Sequence, residues 1–178
     1  MPSVDEILNG AKFPTTTVDI CMRQDLNTRR EELLAYMTEG EKTKKDDKRF
    51  GQPDIPELVQ AQAELDQLEE EMIQHTLTIH MTGISSAEYN SLQRQSGKPR
   101  DGNRIDLSVG FNLQNFYAML IKRCTMKVTS YSGDSVEFTP ERWKTFLENI
   151  TDAQFDLLGN GTKQVNRDTI LTPTRGQI

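Results

Sequence analysis

Between Pro56 and Gln74 one apolar pattern limits what this chain can fold into. Leu58, Ala61, Leu65, Leu68 and Met72 recur at spacings of 3, 4, 3 and 4. Glu64, Asp66, Gln67, Glu69, Glu70 and Glu71 fill the remaining positions. This is the a/d pattern of a helix that buries one narrow seam against a partner helix. Two heptads are too few for a free-standing coiled coil, so the partner is expected nearby in the same chain. A second copy of the chain is the alternative, which leaves a homo-oligomer open.

The partner arm begins near Leu26, with Asn27 as its expected cap and Leu26, Leu33, Leu34 and Met37 as its apolar positions. Gly40 falls where that arm should fray. Residues 39–49 carry no apolar side chain, and Lys42, Lys44, Lys45, Lys48 and Arg49 surround Asp46 and Asp47. Such a stretch reads as a solvated, mobile linker over 39–55 rather than a nucleic-acid contact. Pro56 suits the first turn of the second arm. The reading is thus a charged helical hairpin.

Two strands flank it. Val18, Ile20 and Met22 alternate with polar or small residues, and Leu77, Ile79 and Met81 alternate with Thr78, His80 and Thr82. An antiparallel hairpin returns the chain close to where it left, so Thr16–Met22 and Thr76–Thr82 are expected to pair at its base. Ahead of them, Ser3 and Glu6 form a capping box for a short helix with Val4, Ile7 and Leu8 on its apolar side.

Beyond Ser85 the pattern is mainly helical. Ser85 with Glu88 predicts a capping box before Tyr89 and Leu92. Ser96 to Gly110 reads as a long loop, in which Gly97-Lys98-Pro99-Arg100 is a short basic segment able to hold an anion. Asn112 caps a helix whose core face is Leu113, Phe116, Leu120, Ile121 and Cys124. Thr125 to Val136 reads as polar loop. Thr139-Pro140-Glu141 opens a helix burying Trp143, Phe146, Leu147 and Ile150. Thr151 and Gln154 repeat the capping box ahead of Phe155, Leu158 and Val165, with Gly159 and Gly161 weakening that helix. The expected fold is α+β and mainly α-helical. It comprises an N-terminal strand–hairpin–strand unit (1–82), a compact helical part packed on it (83–166) and a flexible tail (167–178).

Candidate chemistry is sparse. Net charge is −6, with 27% charged residues, which argues against broad binding to nucleic-acid phosphates. No apolar run approaches the ~18 residues of a membrane span. Cys21 and Cys124 lie among apolar residues and read as buried free thiols in a soluble intracellular protein. His75 and His80 are the two histidines and have no third donor spaced for a metal. The carboxylates of Glu64 to Glu71 are solvated charges rather than a tuned acid–base pair. Nucleotide-binding and nucleophile motifs are absent from the sequence, so no enzymatic activity and no cofactor are expected. A helix-turn-helix over 140–165 fails because its second helix opens with Asp152 and Asp156, which would repel DNA.

The order of elements resembles one family. Val4-Asp5-Glu6-Ile7-Leu8, the run Pro14 to Met22, Leu68-Glu69-Glu70-Glu71-Met72 and the strand Thr76–Met81 are similar to the tail assembly chaperones of long-tailed phages of actinobacteria. Tyr89 with Leu92, Pro99-Arg100, Phe111-Asn112 with Phe116, Trp143 with Phe146 and Leu147, Gln154 to Leu158, and Val165-Asn166-Arg167 continue the resemblance over nearly the whole chain. It implies a non-enzymatic protein of the infected host's cytoplasm, absent from the mature virion. Such a protein binds the tape-measure protein, keeps it soluble and promotes polymerisation of the tail tube protein around it. Leu58, Leu65, Leu68 and Met72 on the second arm are one candidate client surface, weighed against a core role, and Arg167–Ile178 is another. The alternatives are a structural virion protein, such as a connector or tail subunit, and a small regulator that binds DNA through Lys42–Arg49.

Overall fold

The computed structural model describes residues 3–46 and 56–167. In chain order its elements are α1 (Val4–Asn9), β1 (Thr15–Cys21), α2 (Asp25–Asp46), α3 (Pro56–Gln74), β2 (Thr76–Thr82), α4 (Ser86–Gln95), α5 (Arg104–Val109), α6 (Leu113–Cys124), β3 (Thr125–Ser130), β4 (Ser135–Val136), α7 (Pro140–Asn149) and α8 (Asp152–Asn166). The fold is therefore α+β and mainly helical, with one four-stranded antiparallel sheet in the order β1-β2-β3-β4 among the described residues. Two compact units divide the chain. One comprises Met1–Val18, Ile79–Val128 and Val136–Ile178, the other Asp19–Thr78 and Thr129–Ser135.

The expected pairing of the flanking strands is present. Gly83 N–H donates to the Pro14 carbonyl at 2.9 Å, and Met22 N–H donates to the His75 carbonyl at 2.9 Å. An antiparallel register fixed at those two ends sets Val18 opposite Ile79 and Asp19 opposite Thr78. The Thr78 hydroxyl donates to the Asp19 carboxylate at 2.5 Å. Ile20, Ile79 and Met81 are buried, whereas Thr15, Thr17 and Asp19 are exposed. The alternation read in the sequence is thus the alternation of faces.

In the second unit the hairpin differs from expectation at two places. Helix α2 begins at Asp25 rather than after Asn27, whose side-chain amide instead donates to Gln24 Oε1 at 2.9 Å. It also passes through Gly40 and continues to Asp46, so Gly40 is not its end. The glycine serves a close approach of the two arms: a Cβ there would lie 2.6 Å from Leu58 Cδ2. The remainder of the expected linker, 47–55, lies outside the described residues, as does the tail from 168. The seam itself is Leu33, Ala61 and Leu65, with Met37 and Leu68 packed on its margin.

In the first unit, α6 buries Phe116, Leu120, Ile121 and Cys124, and α8 buries Leu158, Thr162 and Val165. Rings of Tyr89, Phe111 and Tyr117 meet Phe116 edge-on at 5.2–5.4 Å between centroids. Phe138, Trp143 and Phe146 form a second such cluster. Gly161 brings α8 onto the strands: a Cβ there would meet Val18 Cγ2 at 2.7 Å and Met81 Sδ at 3.0 Å. The two glycines leave α8 unbroken over its 15 residues.

Caps follow the sequence closely. Asn112, Thr139 and Thr151 each accept from the backbone N–H three residues on, and the Thr151–Gln154 capping box is complete. The Ser3–Glu6 box is complete too. Ser85 accepts from Glu88 N–H, but the Glu88 carboxylate pairs with Arg123.

Four expectations are corrected. The stretch Ser96 to Gly110 is not all loop, because it contains α5; six residues are too few to display a helical period. Thr125 to Val136 is not all loop either, because it forms β3, a turn and β4. In β3 only Val128 and Thr129 are buried, so the strand carries a single aliphatic signal. Val4, read on the apolar side of α1, is 71% exposed. Cys124 is buried, which pushes its thiol pKa up, but Cys21 is only half-buried and donates to the Met72 carbonyl at 3.4 Å.

Candidate functional site

The hairpin carries the surface that the sequence nominates. Its arms are clamped by ion pairs of Arg23 with Glu71 at 2.8 Å, Arg29 with Glu64 at 2.7 Å and Arg30 with Glu69 at 2.8 Å. Each is largely open to solvent, which screens the pair, so together they set register more than stability. The four candidate client residues follow the seam between the arms. Leu65 is 5% exposed and Leu68 packs beside it. Leu58 is half-buried over Gly40. Met72 is half-buried, and its carbonyl accepts from the Thr76 hydroxyl, the Cys21 thiol and the His75 N–H. The structure therefore brings the four together within the hairpin and leaves them little free surface.

A second construction lies around α5. Asp106 is fully buried, and its carboxylate accepts from Arg100 Nε at 2.7 Å, Arg100 Nη2 at 3.0 Å, Arg100 N–H at 3.1 Å and Leu113 N–H at 3.3 Å. Arg100 Nη1 also donates to Gln114 Oε1 at 2.6 Å. The Arg100 side-chain hydrogen bonds, with the two backbone donors, hold the Asp106 pKa well below the usual carboxylate range despite burial. So the anion that Arg100 holds is internal. Asn103 Oδ1 caps α5 by accepting from Ile105 N–H and Asp106 N–H, and left-handed Gly110 closes its other end.

The outcome is a six-residue helix fixed at both ends and pinned through its buried acid. Ile105 is 62%, Leu107 61% and Val109 41% exposed on it. Ile105 and Val109, one turn apart, share a face, and Leu107 is exposed on the other side, so this short, anchored element displays apolar side chains on both sides. Sequence reasoning missed it. The available signal was Asn103 as a cap and Gly110 as a stop, with six residues between them.

No family model, curated protein or solved structure matches this chain.

Among the described residues no group of three His, Cys, Asp or Glu side chains is placed to hold a metal ion. His75 is exposed and His80 half-buried, and neither joins a donor set. No helix among the described residues is long and apolar enough to cross a membrane. Of the basic linker, Lys48 and Arg49 lie outside the described residues. At α5 the arrangement offers apolar contact, flanked by the exposed polar residues Arg104 and Ser108.

Proposed function

We propose that this chain is a non-enzymatic phage tail assembly chaperone that binds the tape-measure protein, keeps it soluble and promotes polymerisation of the tail tube. The observation that carries the reading is the display of Ile105, Leu107 and Val109 on a helix anchored by Arg100 and Asp106. A protein that shelters long apolar helices needs apolar surface presented to a partner and enough charge to stay in solution, and this chain has both. The order of elements, with its resemblance to tail assembly chaperones of actinobacterial phages, supports the same role. It acts in the host cytoplasm during infection and is absent from the mature virion.

The client contacts α5 in this reading, while Leu58, Leu65, Leu68 and Met72 hold the arms together. Co-expression with the tape-measure protein is the test. The expected result is a larger soluble fraction of the client and a complex that co-purifies. Equal insolubility with and without this chain, and no complex, would refute the function. Substituting Ile105→Asp and Leu107→Asp together should remove client binding from a chain with an unchanged circular dichroism spectrum. Retained binding would move the contact away from α5.

A further inference from the structure

The short basic segment that the sequence singled out is only half accounted for by the Arg100–Asp106 pair. Lys98 lines a separate surface cavity of about 490 Å³ together with Arg94, which stands in the last turn of α4. Neither cation has an ion-pair partner among the described residues, and no carboxylate lines the cavity.

The remaining walls have a different chemistry. Asn90 and Gln93 offer carboxamides, each both donor and acceptor. Phe111 is half-buried, its ring held edge-on to Phe116 at 5.3 Å. Gly97 and Gly110, at φ +88° and +84°, bound the cavity with bare backbone, and a Cβ on either would meet nothing within 4 Å. The space beside both is open. Two unpaired cations, one aromatic ring and two carboxamides make a cavity of the size range that holds small organic ligands.

We propose that this cavity binds a small organic phosphate carried on a planar apolar group, of the nucleoside monophosphate class. Arg94 and Lys98 take the dianionic phosphate, the Arg by paired N–H donors and the Lys as a point charge. Phe111 takes the flat group, and the carboxamides of Asn90 and Gln93 meet its polar edge. The cavity adjoins α5 through Gly110, but none of Ile105, Leu107 and Val109 lines it, so the two proposals can fail separately.

The test uses the full chain, isotopically labelled for amide NMR and titrated with adenosine 5′-monophosphate, adenosine and inorganic phosphate. The monophosphate is expected to bind about tenfold more tightly than either half alone, with shifts centred on Gly97, Lys98, Gly110 and Phe111. Arg94→Gln with Lys98→Gln should reduce its affinity to that of adenosine; both side chains are exposed, so folding is spared. Phe111→Leu should reduce it toward that of inorganic phosphate. Monophosphate affinity equal to that of phosphate, unchanged affinity in the double variant, or shifts scattered over the surface would each overturn the assignment.

Discussion

Gly159 and Gly161 sit two residues apart in α8, and the same substitution at each should move stability in opposite directions. Replacing a helix-interior glycine by alanine stabilises by about 1 kcal/mol when nothing obstructs the new methyl. At Gly159 the Cβ would lie 3.6 Å from Tyr117 Cδ1 and 3.9 Å from Tyr117 Cε1, ordinary contact distances. Gly159→Ala should therefore gain roughly 0.5–1 kcal/mol. At Gly161 the Cβ would stand 2.7 Å from Val18 Cγ2 and 3.0 Å from Met81 Sδ, close to 1 Å inside the usual ~3.5–4.0 Å separation. Met81 is fully buried and Val18 is stiff at χ1, so neither yields without disturbing a strand. Overpacking of this kind costs about 1–3 kcal/mol, which exceeds the helical gain and leaves Gly161→Ala about 1 kcal/mol less stable than the parent. The two variants should differ by about 2 kcal/mol, or ~4–8 °C in Tm. Urea unfolding with matched m-values measures the difference. A Gly161→Ala chain as stable as Gly159→Ala would refute the close approach of α8 to the strands.

Two other perturbations follow from the packing and the buried acid. Leu65→Ala, at a seam position 5% exposed, should cost about 2–5 kcal/mol by equilibrium unfolding, and a loss under ~1 kcal/mol would mean the arms are not packed through it. Because the fold lowers the Asp106 pKa, its ionised form adds stability that is complete above the ordinary carboxylate pKa of about 4 and fades as pH falls toward the lower folded value. The stability gap between the parent and Asp106→Asn should thus be constant at neutral pH and narrow below pH of about 4; a gap that persists undiminished in acid would contradict the Arg100–Asp106 pairing.

Long periodic features were legible in the sequence and short ones were not. The seam of α3 repeats over five apolar positions, and the two flanking strands alternate cleanly, so the hairpin and its paired base could be read directly. Caps were legible where a Ser, Thr or Asn precedes a recognisable apolar face, as at Asn112, Thr139 and Thr151. Helix α5 escaped because three of its five exposed residues are apolar while its one fully buried side chain is an aspartate, the reverse of the pattern that hydrophobicity rules detect. Strand β3 escaped because only Val128 offers an apolar side chain to bury. Gly40 was misread for a related reason. In sequence a glycine at a helix end and one at a helix crossing look alike, and only the position of Leu58 separates them.

The pairing of Met22 with His75 also bears on how the chain reaches its fold. Closing that loop in an unstructured chain of 53 residues (75 − 22) would cost about 3–4 kcal/mol of entropy before any strand contact returned it. Helices α2 and α3 form and dock locally, and once they have, only a few residues at each end remain to be brought together. Loop-closure entropy therefore favours an order in which the hairpin precedes the sheet and strand pairing zips late from its base. Seam substitutions such as Leu65→Ala should accordingly slow refolding as well as speed unfolding, whereas Thr78→Val, which removes the hydroxyl that meets Asp19, should act mainly on the unfolding rate.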